Sequence, residues 1–239
     1  MMRDEDIKAF CSYFKRQAEV IDSIMLDTNT LTKPSDCQIL LYKKTLLLTM
    51  LDAMAGIRFP KNFYPDMKNQ RRFTRFVKDY ANWDDGRLIS VPFLYDQLSS
   101  SKSSDNKLAE HLKSKLSRLN PEAGGARTTS AVDEPLEALL SIGVSGLEKK
   151  KILYCQHYAI LYRYRNHLVH EAREPGYAMD SYGEDDAYYH SYINDLRWFL
   201  VYPLALLKKT SLQCIDGLQQ HLIDRQIDID NVIKDTSRF

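Results

Sequence analysis

The sequence predicts an all-α fold, and three observations carry that expectation. Only nine glycines and eight prolines punctuate 239 residues, too few for the many turns of a β fold. Apolar residues recur at three- and four-residue intervals along most of the chain, the spacing of a buried helix face. The one candidate strand, Leu88-Ile89-Ser90-Val91-Pro92, equally suits a helix start at Ser90 running to Leu98. The chain is long enough to bury a large core and reads as a single domain, 1–239, with a flexible insertion at 99–135.

Taken in order, Asp4 to Asp27 carries an apolar stripe of Ile7, Phe10, Phe14, Val20, Ile21, Ile24 and Met25. Lys33-Pro34-Ser35 breaks it, and Ser35 or Asp36 suits the N-cap of the next helix. Cys37 to Ala55, stopped by Gly56, is the most hydrophobic segment, so Leu40, Leu41, Leu47, Leu48 and Leu51 are expected in the core. Asp52 is out of place there. It is either an exposed helix-face residue or a buried acid orienting Arg165 or His170, because a buried carboxylate needs a partner.

Arg58 to Lys78 sets seven basic residues against the single acid Asp66, with Phe59, Phe63, Tyr64, Phe73 and Phe76 interleaved. Such a segment is either an amphipathic helix with aromatics inward or a surface that binds phosphate and stacks on unpaired bases. Arg71, Arg72 and Arg75 are its candidate RNA-binding residues. After the Trp83-Asp84-Asp85-Gly86 turn come the serine-rich run Ser99–Ser104, a helix from Asn106 to Leu119 with a basic face, and a flexible linker from Asn120 to Pro135. That insertion is either a mobile flap or a tolerated excursion. Leu147 to Tyr164 reads as one helix, and Glu174-Pro175-Gly176 stops the periodicity beyond it. The acidic stretch Glu171–Asp186 would repel phosphate unless it meets a basic surface. Ala187 to Lys209 reads as a helix bent at Pro203, with Tyr188, Tyr192, Leu196, Phe199 and Leu200 inward. Ser211 to Ile223 forms a further helix, and Asp224 to Phe239 a polar tail.

Composition narrows the function classes. A net charge of +1 excludes a bulk polycation, so any nucleic-acid affinity must come from a local patch. Cys11, Cys37, Cys155 and Cys214 are scattered without metal-ligand spacing and read as reduced thiols. The acidic start Met-Met-Arg-Asp-Glu-Asp carries no signal-peptide core, and the run Leu46–Leu51 is too short to span a membrane. A cytoplasmic protein with no membrane partner is expected. Gly-rich phosphate loops, HExxH and Gly-x-Ser-x-Gly are absent, and acidic pairs fall only at Asp84-Asp85 and Asp185-Asp186. No metal and no cofactor is expected.

Potential chemistry concentrates in Tyr162-Arg163-Tyr164-Arg165-Asn166-His167-Leu168-Val169-His170-Glu171. On a helix, Asn166 and His170 share a face, as do Arg163 and His167, while Arg165 and His170 diverge by about 140°. Arg165 and His170 can meet at one phosphate only if the helix loosens near Val169 or a second copy brings its own pair. An imidazole can exchange a proton with a ribose 2′-hydroxyl or a leaving 5′-oxygen near neutral pH, and a guanidinium can stabilise a pentavalent phosphorane. Asn166 would fix the imidazole or bind phosphate. His167 lies outside this pair and reads as a supporting packing or interface residue; His111, His157, His190 and His221 read as structural.

The string Arg165-Asn166-His167-Leu168-Val169-His170 resembles the Arg-polar-x-x-x-His signature of the HEPN superfamily of small helical proteins. The resemblance covers six residues as a motif and roughly Ser35–Leu218 as a helical pattern. It implies an antiparallel helical bundle with extra helices, acting as a metal-independent endoribonuclease through Arg165, Asn166 and His170. It further implies a homodimer with motif helices face to face, and a toxin or antiphage role with an antitoxin or regulatory partner. Two other readings remain: a non-catalytic dimer that binds RNA, a nucleotide or a protein through the same groove, and a purely structural dimerisation module.

Overall fold

The computed structural model describes residues 2–25, 36–99, 107–119, 124–173, 180, 184–193 and 197–228. The expected breaks at Lys33-Pro34-Ser35 and Glu174-Pro175-Gly176, most of the serine-rich run and most of the polar tail lie outside them. The described residues are mostly helical, with one three-stranded sheet. They divide into two compact units.

The first unit takes its described residues from 1–82, 165–173 and 204–239. Its main helices are α1 (Met2–Ser23), α2 (Asp36–Arg58), α3 (Asn69–Tyr80) and α10 (Leu204–Asp224). Helix α10 packs against the other three, and α2 packs against α1 and α3. In α1 the buried row is Ile7, Cys11, Ala18 and Ile21, whereas Val20 and Met25 are exposed, correcting the expected stripe. The more regular helical row, with small Ala18 and Cys11 in it, lets neighbouring helices approach. Leu47, Leu48 and Leu51 of α2 are fully buried as expected, but Leu40 and Leu41 are only half-buried. The helix also runs past Gly56 to Arg58. Lys208 pairs with Asp22 at 2.5 Å and Lys15 with Asp216 at 2.6 Å, pinning α1 to α10 at two levels. Gly217 lets α3 come close: a Cβ there would sit 2.7 Å from Cδ1 of Tyr80.

The second unit takes its described residues from 83–164 and 174–203. It holds a 3-10 turn at Asp84–Arg87, α4 (Val91–Ser99), α5 (Lys107–Arg118), α6 (Thr129–Val132), α7 (Leu136–Leu140) and α8 (Gly146–Tyr154). Its sheet has the order β1-β2-β3, from Gly125–Thr128, Tyr188–Ser191 and Phe199–Val201, all antiparallel. Helix α9 (His157–Glu171) begins in this unit and, from Arg165, belongs to the first.

Four expectations fail in this unit. The segment 187–209 is not one helix: β2 and β3 occupy its first half, and Pro203 precedes α10 instead of bending it. The run Ala187-Tyr188-Tyr189-His190-Ser191 is rich in aromatics that suit strands, and all four side chains of β2 are buried. The 124–135 part of the linker is ordered, as β1, α6 and the Glu134–Ile89 bridge. Helix α5 is no surface excursion, because Leu108 and Leu112 are buried with Leu94, Leu98, Val132 and Ile152. Leu147–Tyr164 splits into α8 and α9 between Tyr154 and His157. There the backbone turns aside to pair with the 88–90 segment: Ser90 N donates to Cys155 O at 2.9 Å and His157 N to Leu88 O at 3.1 Å. Ser145 and Glu148 form a reciprocal capping box that starts α8. The ambiguous 88–92 stretch resolves as a single-residue bridge at Ile89 followed by α4, with Ser90 Oγ accepting from Phe93 N.

Candidate functional site

The motif lies on the last turns of α9, which stays α-helical through Glu171. Ala172 then adopts a left-handed backbone (φ 50°) and ends the helix. Loosening near Val169 is therefore not how Arg165 and His170 could meet. On an intact helix they stay about 140° apart.

Arg165 is the anchored member of the motif. Its Nη2 donates to Asp52 Oδ2 at 2.7 Å and its Nη1 to Asn166 Oδ1 at 3.1 Å. The two charged side chains are 14% and 24% exposed, so their attraction is less screened than on an open surface. Asp52 is half-buried, neither the fully exposed nor the fully buried acid of the two readings, and it pairs with Arg165. Asn166 meets the guanidinium, and no bond from it to His170 is formed among the described residues. A guanidinium has five N–H donors. The two bonds leave hydrogens on both terminal nitrogens, while Nε is buried without a partner.

His170 is exposed at the end of the helix and has no hydrogen-bond partner among the described residues. His167 places Nδ1 2.7 Å from Glu171 Oε1, and Arg173 Nη2 reaches Glu171 Oε2 at 2.5 Å. The acidic residue after the motif thus takes up two neighbouring basic groups. Arg163 does not join His167. It lies in the second unit, over the rings of Phe93 and Tyr154 at 4.3 and 3.8 Å, and donates to Tyr154 O at 2.6 Å.

The basic segment is shorter as a helix than the sequence suggests. Only Asn69–Tyr80 is helical, as α3, and hydrogen-bonded turns fill 59–68. Phe59, Phe73 and Phe76 point inward, but Phe63 is 72% exposed. Arg72 donates to Phe59 O at 3.4 Å and to Asn69 Oδ1. Arg75 lies 3.4 Å from Asp79 Oδ2. Of the three arginines expected to bind RNA, Arg71 alone is exposed and without a partner among the described residues.

A second polar cluster escaped the sequence reading. In the second unit, Asp133 accepts at Oδ2 from His157 Nε2 (2.6 Å) and Tyr189 OH (2.9 Å), and at Oδ1 from Val91 N (2.9 Å). His157 Nδ1 meets Tyr202 OH at 2.9 Å, and Tyr189 OH lies 2.7 Å from Ser90 Oγ. All five side chains are buried. Burial, and then the Asp133 charge, push both phenols well above their ordinary value, so they remain donors. With no exposed member, the cluster joins β2 to the starts of α4 and α9 and fixes the core. His157 is thus structural. No local spacing marks these residues, which lie far apart in the chain. Cys11 and Cys155 are buried and free. Burial pushes their thiols up to about 11 and about 12, leaving them protonated and unreactive.

Among the described residues, no three of His, Cys, Asp and Glu converge as ligands of a metal ion, and no helix is long and apolar enough to cross a membrane. No family model, curated protein or solved structure matches the chain.

Proposed function

We propose that the protein is a metal-independent endoribonuclease of HEPN type, acting in the cytoplasm as a two-fold homodimer. The observation that carries this reading is the Asp52–Arg165–Asn166 arrangement: an oriented guanidinium on the helix that ends in an exposed, unengaged histidine. In the reaction, the 2′-oxygen of a ribose attacks the adjacent phosphorus while His170 takes its proton. The P–O5′ bond breaks, the 5′-oxygen takes up a proton from water, and a 2′,3′-cyclic phosphate remains. Arg165 offsets the charge that builds on the phosphoryl oxygens. Because Arg165 and His170 diverge on one helix, His170 of the partner subunit would complete each site. Arg71, Arg72 and Arg75 would supply affinity for RNA. A toxin or antiphage role, and an antitoxin as partner, rest on the resemblance alone.

One observation favours a second reading, RNA binding without cleavage: Asp52 already neutralises part of the charge that Arg165 would present to a phosphate. Incubating purified protein with labelled RNA in EDTA separates the two. Cleavage by wild type and none by His170→Ala is expected, whereas binding without cleavage, or equal cleavage by both proteins, contradicts the proposal.

A further inference from the structure

Two arginines of the first unit lie against one buried ring, and a third reaches the backbone of the same residue. The guanidinium carbon of Arg58, the last residue of α2, lies 4.5 Å from the Phe59 ring centroid, and that of Arg75, on α3, lies 5.2 Å from it. The two cations are therefore no farther apart than the sum of those distances. Arg72 adds a bond to the Phe59 carbonyl. Arginine side chains are long and costly to order, yet here a common aromatic residue holds them in place.

Little negative charge balances them. Arg58 donates from Nε to the phenol oxygen of Tyr80 at 2.7 Å, not to a carboxylate. Burial weakens its charge, but the hydrogen bonds it donates to Tyr80 and Tyr64 outweigh that and hold the guanidinium above its ordinary value. Among the described residues, the one carboxylate found with the group is Asp79, at 3.4 Å from Arg75, with both side chains well exposed. Arg71, one residue before Arg72, is exposed and unpartnered among the described residues. Like charges collected around one ring with so little compensation favour an external anion.

The same segment carries an exposed aromatic ring. Phe63 N and Tyr64 N both donate to Pro60 O, at 3.2 and 2.9 Å, and Met67 N donates to Tyr64 O. These turns fix the backbone, and Tyr64 packs edge-on against Phe59 with ring centroids 5.4 Å apart. Phe63 is thus displayed outward on an ordered turn, within a few residues of the guanidinium cluster. A phenyl ring so exposed contributes nothing to the core. On the segment that also carries these cations, it offers what an unpaired base requires, a flat apolar face on which to stack. A paired duplex hides its base faces and would gain nothing from it.

We infer that residues 58–75 form a preorganised seat for unpaired RNA, in which Arg58, Arg71 and Arg75 hold backbone phosphates and Phe63 stacks on a base. The inference rests on the proposed ribonuclease reading for its choice of RNA. Helix α2 links the two sites: Asp52, which orients Arg165, precedes Arg58 by six residues, about 9 Å of helix rise.

The test uses the full chain and a dye-labelled RNA dodecamer fully 2′-O-methylated, so that the attacking oxygen is blocked and binding is read without cleavage. Fluorescence anisotropy should show tighter binding of the single strand than of the same sequence as a duplex. Phe63→Ala should weaken single-strand binding by roughly ten- to a hundredfold with an unchanged melting temperature, and Phe63→Tyr should restore it. Arg71→Ala and Arg75→Ala should flatten the salt dependence, which Phe63→Ala leaves alone. No binding, equal affinity for strand and duplex, or wild-type affinity in Phe63→Ala would overturn the seat. If the dodecamer binds through Phe63 but unmodified RNA stays intact, the seat stands and the ribonuclease reading falls. If unmodified RNA is cleaved with the same KM by wild type and Phe63→Ala, the ribonuclease reading stands and the seat falls.

Discussion

Arg165 and Asp52 are 113 residues apart in the chain, yet their side chains meet at 2.7 Å. The carboxylate sits on α2, whose Leu47, Leu48 and Leu51 lie in the core, and the guanidinium on the last turns of α9. Each would be poorly placed alone, because a partly buried charge without a partner is costly. Together they fix the plane of the guanidinium relative to the helix that carries His170.

Asp52→Ala should therefore act twice. Loss of the charged hydrogen bond should lower stability by about 1–3 kcal/mol, and the released Arg165 should lose its orientation and with it ribonuclease activity. Asp52→Glu, which keeps the charge, should lose less of both. Thermal melts and initial cleavage rates check this; full activity in Asp52→Ala would show that the pair serves the fold alone.

The two motif histidines should differ sharply. His170→Ala and Arg165→Ala should each reduce the cleavage rate by about 10²–10³-fold, the usual effect of removing one transition-state contact. His167→Ala should be much milder, since His167 is turned toward Glu171. His170 is exposed, so its removal should leave the melting temperature nearly unchanged. Equal losses at both positions would mean that the wrong histidine has been chosen.

Some of this was legible in the residues. Leu47, Leu48 and Leu51 announce a core helix by spacing, and Asp52 stands out because a carboxylate in such a helix must find a partner. The strands β2 and β3 were not legible. The partner of β2 on its other edge, β1, lies some sixty residues earlier, and Tyr192, Leu196, Phe199 and Leu200 mimic a helical stripe by chance. The Asp133–His157–Tyr189–Tyr202 cluster was hidden for the same reason, since no local period reports a long-range contact. Within the basic segment, helical spacing correctly turned Phe73 and Phe76 inward. It missed the 59–68 turns, which place Phe59 beneath the arginines and Phe63 in solvent.

A shared cleft requires two chains. Because α9 stays helical through the motif, a second copy is the remaining route for a histidine to join Arg165 at one phosphate. Sedimentation at micromolar concentration should give twice the 27.8 kDa chain mass. Full nuclease activity in a monomer would rule the shared cleft out.

Stability should fall on mild acidification, in part through His221. Burial, and then the Arg58 and Arg225 charges, lower its pKa, while Asp224 opposes them weakly. The unfolded chain, with a histidine pKa of about 6.5, then binds the proton more readily than the folded one. The contribution of neutral His221 is present above that pH and is lost as the pH falls toward the folded value. Replacing it with Gln should flatten the fall in melting temperature between about pH 7 and about pH 5. His190, lowered by burial, leaves a residual slope. An unchanged slope in His221→Gln would contradict the assignment.

The chemistry itself is tested most directly by removing one oxygen. An RNA carrying a single 2′-deoxynucleotide at a mapped cleavage position should resist wild-type protein at that position alone, in EDTA. The unmodified RNA should yield a product ending in a 2′,3′-cyclic phosphate or its 3′-phosphate hydrolysis product. Cleavage at the deoxy position, or a dependence on added Mg²⁺, would contradict attack by the ribose hydroxyl and the roles given to Arg165 and His170.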